Sequence, residues 1–179
     1  MEIYQPSDDS YLFADFLKKH LTKSSKTIKF LDVGTGSGIL AKTALKFLSP
    51  KNITASDINP KSIKFLKKEK FTTIESNLFK NINQKFDLIT FNAPYLPLDK
   101  REPIQSQLAT TGGRNGDEIS LNFINQAKQH LNSNGKVFLL ISSLTPQNKI
   151  KKLWQYKIVA RKKVFMEELL ILEFKHNHP

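Results

Sequence analysis

Three glycines at alternate positions follow closely after a short apolar run, and this pattern restricts the folds that the chain can adopt. Residues 28–33 have the apolar and β-branched character of a buried strand, and residues 39–48 place apolar side chains at helical spacing. The loop between them is Gly34-Thr35-Gly36-Ser37-Gly38. Glycine lets the backbone approach a ligand closely, and the start of a helix offers free N–H groups. The stretch therefore predicts a β–loop–α unit with a ligand site at the loop.

Strands and helices alternate along the rest of the chain. Further strands are predicted at 53–57, 71–75, 86–91 and 137–142. Further helices are predicted from Asp8 with Ser7 as N-cap, from Pro60, over 117–131 and over 147–154. Two last strands, near 156–165 and 169–174, are predicted to form a hairpin that turns at Met166-Glu167.

Four β-to-α alternations followed by an antiparallel pair predict an α/β fold. We expect a mostly parallel sheet with a C-terminal antiparallel hairpin and helices on both faces. The length of 179 residues suits one domain over 1–179, with the segment 1–25, extended at first and then helical, packed on it. Residues 96–115 are predicted to be one long polar connection, and residues 132–135 to end the helix before them. A connection of that length is usually functional or mobile.

Composition excludes several classes of protein. The chain has no cysteine, and its four histidines do not cluster with acidic residues at the spacing of metal ligands, so we predict no disulfide and no metal site. No apolar stretch reaches the ~18 residues of a membrane span, and the N-terminus lacks the pattern of a secretory signal, which predicts a cytoplasmic protein without a membrane partner. The net charge of +12 fits a polyanionic neighbour such as RNA, but scattered lysines also fit a solvated surface.

A second motif, Asn92-Ala93-Pro94-Tyr95, follows the strand predicted at 86–91. Pro94 fixes its own φ and pushes the residue before it toward an extended conformation. The motif therefore predicts a stiff turn that presents an amide side chain and an aromatic ring at the carboxyl end of a strand, where open α/β sheets bind ligands. Taken alone, the motif is equally typical of a strand that simply ends in a proline-rich turn.

Two acidic residues indicate the class of ligand. Asp57 ends the predicted strand 53–57, where a carboxylate can accept hydrogen bonds from ribose hydroxyls. The loop has the spacing G-x-G-x-G, whereas a dinucleotide site expects glycine at the position that Ile39 occupies. Asp32, just before the loop, would repel a pyrophosphate and attract a cationic amino-acid tail. S-adenosylmethionine, which carries an ammonium, a sulfonium and a ribose, therefore fits these residues better than a dinucleotide does.

At this point the motifs resemble those of a known family. Residues 32–38, 57–60 and 92–95 are similar to the class I, Rossmann-like methyltransferases that modify planar nitrogens. Residues 4–10 and 112–118 narrow the resemblance to the short HemK-like glutamine N5-methyltransferases of archaea and eukaryotes, which act on the class-1 peptide release factor. The resemblance covers nearly the whole chain. It implies an S-adenosylmethionine-dependent enzyme that methylates the glutamine amide in the Gly-Gly-Gln loop of a release factor.

The resemblance also implies roles for particular residues. The catalytic residues are expected to be Asn92, Ala93, Pro94 and Tyr95. The cofactor-binding residues are expected to be Tyr4, Ser10, Asp32, Gly34, Thr35, Gly36, Gly38, Asp57, Ile58, Asn77, Leu78 and Asn92. The Asn92 side-chain oxygen and the Ala93 carbonyl would accept hydrogen bonds from the two N–H groups of the glutamine amide, and Tyr95 would stack on the plane of that amide.

The sequence departs from the family pattern at two positions. Ala93 stands where the family usually has proline, although the carbonyl is retained and Pro94 still constrains it. Asn77 stands where the family usually has aspartate. Its amide oxygen can still accept a hydrogen bond from the adenine amino group, but without the charge. Cofactor affinity is therefore the property that we expect to change.

Three other functions and one partner stay open at this stage. The Asn-x-Pro-Tyr motif is shared with enzymes that methylate exocyclic base nitrogens, adenine N6 or guanine N2, in RNA or DNA. A protein lysine methyltransferase and a non-catalytic binding subunit are also possible on this fold. In the family, a small zinc-binding activator subunit pairs with an edge strand. The strand predicted at 71–75 is the candidate, because Phe71 and Ile74 flank threonines and no proline blocks pairing.

Overall fold

The computed structural model describes residues 2–101 and 103–176. Met1, Glu102 and residues 177–179, which belong to the predicted domain 1–179, lie outside the described residues. The strands within the described ranges are β1 (Phe30–Val33), β2 (Ile53–Asp57), β3 (Thr72–Glu75), β4 (Phe86–Asn92), β5 (Leu131–Ser142), β6 (Lys157–Lys163) and β7 (Glu168–Lys175). The helices are α1 (Asp8–Leu21), α2 (Ile39–Ala44), α3 (Pro60–Leu66), α4 (Ile104–Thr110), α5 (Glu118–Ala127) and α6 (Gln147–Leu153).

The described strands form one sheet in the order β3-β2-β1-β4-β5-β7-β6. The first five of these are parallel, and β7 runs antiparallel between β5 and β6. This arrangement confirms the predicted fold class. From β1 the chain builds outward to β3 on one side, and then returns to build β4 and β5 on the other. Ligands bind at such a reversal of strand order, outside the carboxyl ends of the strands.

Helices cover both faces of the sheet. On one face, α5 buries Phe123 and Ile124 against side chains of β4 and β5. On the other face, α1 and α2 bury Phe13, Leu17 and Leu40 in a second cluster that includes Leu140 of β5. Side chains alternate along the central strands and so feed both clusters. None of the helices in the described parts of the chain is long and apolar enough to cross a membrane.

Two local predictions are wrong. The predicted connection 96–115 contains a helix, α4, and the segment that follows β4 contacts the end of this helix: Leu96 N donates to Thr110 O at 2.9 Å. Residues 132–135 lie within β5 and do not simply end a helix. The pairing with β4 shifts register there, and Asn134 takes a left-handed φ of 64°, so the turn-forming residues make an irregularity inside a strand.

The predicted helix 117–131 is also shorter than expected. It ends as α5 at Ala127, and a 3-10 turn over Lys128–His130 leads directly into β5. Ser7 does occupy the N-cap position of α1, but its side chain makes no capping hydrogen bond within the described structure. Its hydroxyl donates instead to Asp9 Oδ1 at 2.8 Å.

Replacing Phe13 with alanine tests whether the N-terminal helix belongs to the same folding unit as the sheet. Phe13 is fully buried on α1, so Phe13→Ala should lower the free energy of unfolding by ~3–5 kcal/mol. Far-UV circular dichroism and the fluorescence of Trp154, which lies on the other face, should report the same shifted transition. Tyr11→Ala, on the exposed side of α1, should change stability by less than ~0.5 kcal/mol. Two separate transitions would mean that the N-terminal segment folds on its own.

Candidate functional site

A cleft of about 500 Å³ opens at the carboxyl ends of β1, β2 and β4. This is the size range of small-molecule and cofactor sites. The cleft brings together the following predicted site residues: Tyr4, Ser10, Asp32, Gly34, Thr35, Gly36, Asp57, Ile58, Asn77, Leu78, Asn92, Ala93, Pro94 and Tyr95. Gly38 does not line it, because it is buried behind the loop against the side chain of Leu66.

The glycine loop forms the floor of the cleft. Gly34 has a φ of 60°, and a Cβ at this position would lie 2.9 Å from Cε2 of Phe91. The backbone can therefore turn here, close to β4, only with glycine. The amide of Thr35 donates to Ser56 O at 2.9 Å, which holds the loop against the end of β2.

Asp32 is a buried carboxylate at the end of β1. Its oxygens accept hydrogen bonds from Thr35 Oγ1 at 2.6 Å and Thr90 Oγ1 at 3.0 Å. Burial raises the pKa of Asp32 to about 7, although both hydrogen bonds favour the charged form. A cationic group that entered the cleft would stabilise the ionised carboxylate.

Asp57 connects the loop to the next helix. Its Oδ2 accepts from Gly36 N at 2.7 Å, and its Oδ1 accepts from Asn59 N at 2.8 Å. Burial raises the pKa of Asp57 above its ordinary value, and these backbone donors oppose the shift. An ionised carboxylate has about four acceptor positions, so two remain for hydroxyl groups of a ligand.

The N-terminal segment closes one side of the cleft. The Asn59 side chain donates to Glu2 O at 3.0 Å and also caps α3 by accepting from Lys61 N. The Tyr4 hydroxyl donates to Asp9 Oδ2 at 3.1 Å, and the Ser10 hydroxyl donates to Asp9 Oδ1 at 3.0 Å. Sequence reasoning missed Asp9 as a lining residue. A signal was present, since it lies between two residues that the family motif had singled out.

Asn92 lies where β4 enters the cleft. Its Oδ1 atom is buried and has no hydrogen-bond partner in the described part of the chain. Pro94 and Tyr95 follow, and the turn around Gly112 lies against them. A Cβ at Gly112 would be 2.6 Å from the Pro94 carbonyl oxygen, and Gly112 N donates to Leu96 O at 2.8 Å. The motif at 112–118 therefore holds the backbone of the Asn92–Tyr95 turn in place.

Tyr95 is half-buried and remains protonated. Burial raises the pKa of its phenol, and the nearby carboxylates of Asp9 and Glu167 raise it further. Thr145 Oγ1 donates to the Tyr95 carbonyl at 3.4 Å, which links the turn to the segment after β5. The ring therefore has a fixed backbone and a neutral hydroxyl.

The loop after β3 contributes the far end of the cleft. Asn77 is exposed, and Leu78 takes a left-handed φ of 49°, which is uncommon for leucine. The Ser76 hydroxyl donates to Leu78 O at 2.9 Å and accepts from Asn81 N at 3.0 Å, so this conformation is held in place. Four further lining residues, Ala109, Thr110, Ile119 and Asn122, come from α4 and α5. Sequence reasoning missed Ala109 and Thr110 because it treated α4 as a loop, and it missed Ile119 and Asn122 although it predicted a helix there.

No metal centre accompanies the cleft in the residues that the structure describes. Among residues 2–101 and 103–176, no three histidine, aspartate or glutamate side chains are grouped so that they could hold a metal ion. The polar groups that line the cleft include three buried carboxylates, those of Asp9, Asp32 and Asp57, together with the amide oxygen of Asn92 and the phenol of Tyr95.

The pKa of Asp32 predicts how stability changes with pH. Between about pH 4 and 7 the folded protein keeps a proton on Asp32 that the unfolded chain has lost, so this residue's contribution to stability falls as the pH rises across that range and levels off above pH 7. Asp32→Asn removes that dependence. In urea unfolding of the ligand-free protein, the variant should therefore gain on the order of 2–4 kcal/mol relative to wild type between pH 5 and 8. A difference that stays constant with pH would contradict the raised pKa.

Comparison with known proteins gives the family. A family model described as the methyltransferase small domain matches residues 10–167. A protein of Methanocaldococcus jannaschii, provisionally named as a protein N5-glutamine methyltransferase, is 38% identical over 96% of this chain and 90% of its own length. Methyltransferase HEMK2 of Homo sapiens is 25% identical over 87% of this chain and 79% of its own length.

A solved structure shares the fold. It is the E. cuniculi Mtq2–Trm112 complex, described as responsible for methylation of the translation termination factor eRF1. The matching chain has a TM-score of 0.78 and 21% identity, and the match covers 99% of this chain and 100% of that one. With the sheet order, the cleft and the two motifs, these likenesses lead to one conclusion. The chain belongs to the methyltransferase small domain family and, within it, to the short HemK-like N-methyltransferases.

Proposed function

We propose that this enzyme methylates the side-chain amide nitrogen of a protein glutamine, in the Gly-Gly-Gln loop of a peptide chain release factor, with S-adenosylmethionine as methyl donor. The observation that carries the proposal is the Asn92 Oδ1 atom, which is buried at the cleft and unpaired among the described residues. Leaving a buried acceptor without a donor costs about 1–3 kcal/mol. An N–H group of the substrate would supply that donor. The names of the relatives support glutamine and a termination factor as the substrate class.

The cofactor half of the cleft suits S-adenosylmethionine, which supplies an electrophilic methyl group when bound. Asp32 would attract the cationic amino-acid end, and the free acceptor positions of Asp57 would take the ribose hydroxyls. Ile58, Asn77 and Leu78 would surround the adenine. Asn77 brings no charge to that contact, so we expect weaker cofactor binding than with the aspartate that is usual in the family.

The acceptor half of the cleft suits a planar amide. An amide nitrogen is a poor nucleophile because its lone pair is delocalised. Asn92 Oδ1 and the Ala93 carbonyl would accept hydrogen bonds from its two N–H groups and so favour lone-pair density on the nitrogen. Pro94 fixes the backbone behind them, so the alanine at position 93 does not remove the second acceptor. The Tyr95 ring would stack on the amide plane. A proton can leave after transfer, so the proposal needs no general base.

Two variants should separate catalysis from cofactor binding. Asn92→Ala should lower turnover by a factor of ~100 or more, because its oxygen acts mainly in the transition state. It should change cofactor affinity little, because most of the expected cofactor contacts come from Asp32, Asp57 and the glycine loop. Asp57→Ala should instead weaken cofactor binding by about 1.5–3 kcal/mol, since it removes hydrogen bonds to a charged acceptor. Steady-state kinetics and calorimetry with S-adenosylmethionine measure the two effects. Equal cofactor affinity in wild type and Asp57→Ala would place the ribose contact elsewhere.

The acceptor itself is tested by methyl transfer from labelled cofactor. The substrates are a folded release-factor domain with its Gly-Gly-Gln loop, the same domain with Gln→Ala, RNA and DNA. We expect transfer to the first substrate alone. Transfer that persists on the Gln→Ala domain would indicate another protein acceptor such as lysine. Transfer to nucleic acid alone would indicate a base nitrogen, the alternative that the net charge of +12 keeps open.

We further propose that a small activator subunit pairs with β3. The two edges of the described sheet differ. On β6 the exposed side chains include Lys157, Arg161 and Lys163, and such charges discourage strand addition. On β3 the exposed residues are Thr72 and Glu75, without lysine or proline. The Mtq2–Trm112 complex supports a partner of this kind.

One residue expected at that interface does not fit it. Phe71, just before β3, is 6% exposed and packs in the buried cluster that α1 and α2 cover. Pairing would therefore depend on the β3 backbone and on Ile74, which is half-buried. The exposed side chains of β3 are therefore polar, and the backbone N–H and C=O groups on its side away from β2 are the main groups available for pairing.

Co-expression with the small zinc-binding activator of the host tests this partner. The two proteins should elute together in size-exclusion chromatography. A variant with Thr72→Lys and Glu75→Lys, which gives β3 the charge pattern of β6, should elute alone and keep its circular dichroism spectrum. Separate peaks for the unchanged protein and the activator would count against the partner.

A further inference from the structure

The tip of the β6–β7 hairpin, defined as Val164–Glu167, exposes apolar side chains that the fold does not use. Phe165 is 96% exposed and Met166 is 77% exposed. Leu144, in the neighbouring turn after β5, is 58% exposed. Single exposed apolar residues are common, but three in adjacent turns form a patch of the kind that marks interaction sites.

The tip has a defined conformation. Val164 N donates to Glu167 O at 2.9 Å, which closes the turn. Ser143 N donates to Glu168 O at 2.7 Å, and Glu168 N donates to Ser143 Oγ at 2.9 Å, which joins the hairpin to the turn that carries Leu144. The two turns therefore present one preformed surface.

The tip lies at the acceptor end of the cleft. Because β7 runs antiparallel to β5, with Ser142 opposite Leu169, the hairpin turns beyond the carboxyl end of β5. Asn92, the last residue of β4, lies at this same end of the parallel strands. Val164 and Tyr95 pack against the same buried cluster, and Thr145, next to Leu144, donates to the Tyr95 carbonyl.

The charge at the tip distinguishes two kinds of macromolecule. Glu167 has one carboxylate oxygen, Oε2, that is buried and without a hydrogen-bond partner in the described part of the protein. Its charge is close enough to raise the pKa of Tyr95. Lys163, which directly precedes the tip, is exposed, so the hairpin carries charge of both signs. The charge that acts on Tyr95 from the tip is that of Glu167, and an acidic group beside the acceptor position disfavours a phosphate backbone there and favours a protein surface with apolar and basic side chains.

We propose that the tip Val164–Glu167, with Leu144, is the surface on which the folded acceptor protein docks beside its acceptor glutamine. This inference rests on the proposed function, since it takes a protein as the substrate. Phe165 and Met166 would bury their side chains against that protein and position its loop over Asn92 and Tyr95. A short peptide that contains only the acceptor loop would enter the cleft without reaching the tip.

The test compares a folded substrate with a peptide. The variant carries Phe165→Ser and Met166→Ser, and its substrates are the folded release-factor domain and a short Gly-Gly-Gln peptide. We expect KM for the folded domain to rise at least ~10-fold with little change in kcat, because apolar anchors at an interface contribute mainly to binding. For the peptide, kcat/KM should equal that of the unchanged protein.

A matched control is Leu153→Ser. Leu153 is also exposed, but it lies with Lys128 and the end of β7, near the amino ends of the parallel strands and away from the cleft. KM for both substrates should therefore stay the same in this variant.

An unchanged KM for the folded domain in the tip variant would overturn the docking role, and so would an equal loss on domain and peptide. Absence of transfer from the unchanged protein to either glutamine substrate would overturn the proposed function itself, and the docking role with it. A tip variant that loses affinity for RNA but keeps its KM for the folded domain would also overturn the docking role.

Discussion

The parallel pairing of β1 with β2 on one side and β4 on the other is the constraint on which the site depends. Val33 lies opposite Ser56 and Phe91 in the two ladders. This register brings the glycine loop, Asp57 and Asn92 to one edge of the sheet, although long stretches of chain separate them. A shift of one residue in either ladder would turn the alternating side chains to the wrong face and separate the two halves of the cleft.

The cleft concentrates groups that are costly to bury. Asp32 and Asp57 are carboxylates with raised pKa values, and Asn92 offers an oxygen without a partner in the described structure. Each of these lowers the stability of the ligand-free fold. A cationic cofactor and an amide substrate would offset these costs, because they bring the charge and the donors that the protein does not provide. The basic surface of the chain is thus a poor guide to its site, which is locally acidic.

Elements outside the parallel sheet shape the acceptor side of the cleft. The turn at Gly112 supports the backbone of Pro94, and α4 adds lining residues beside it. The antiparallel strand β7 reverses the chain and so places the tip of the hairpin at the same edge as β4. The cofactor side is built by the common β–loop–α unit, whereas these additions decide what can approach the reacting nitrogen.

The sequence by itself determined the strands, most of the helices and the nature of the two motifs. Hydrophobic periodicity, glycine and proline act over a few residues, so they can be interpreted without knowing the rest of the fold. The turn signal at residues 132–135 was interpreted wrongly, because pairing with β4 incorporates that segment into a strand. The helix α4 was missed because residues 96–115 carry no clear helical pattern, and its last residue is joined to Leu96 by a hydrogen bond that only the folded chain shows.

Only the tertiary structure decided that Asp9 lines the cleft, that Gly38 stands behind it and that Asn92 has a buried, unpaired oxygen. It alone placed the tip of the β6–β7 hairpin, which carries Phe165 and Met166, beyond the carboxyl end of β5, with Val164 packed on the same cluster as Tyr95. These properties depend on which distant segments meet, and that is set by strand register and by the packing of both faces of the sheet, which no local pattern in the sequence records.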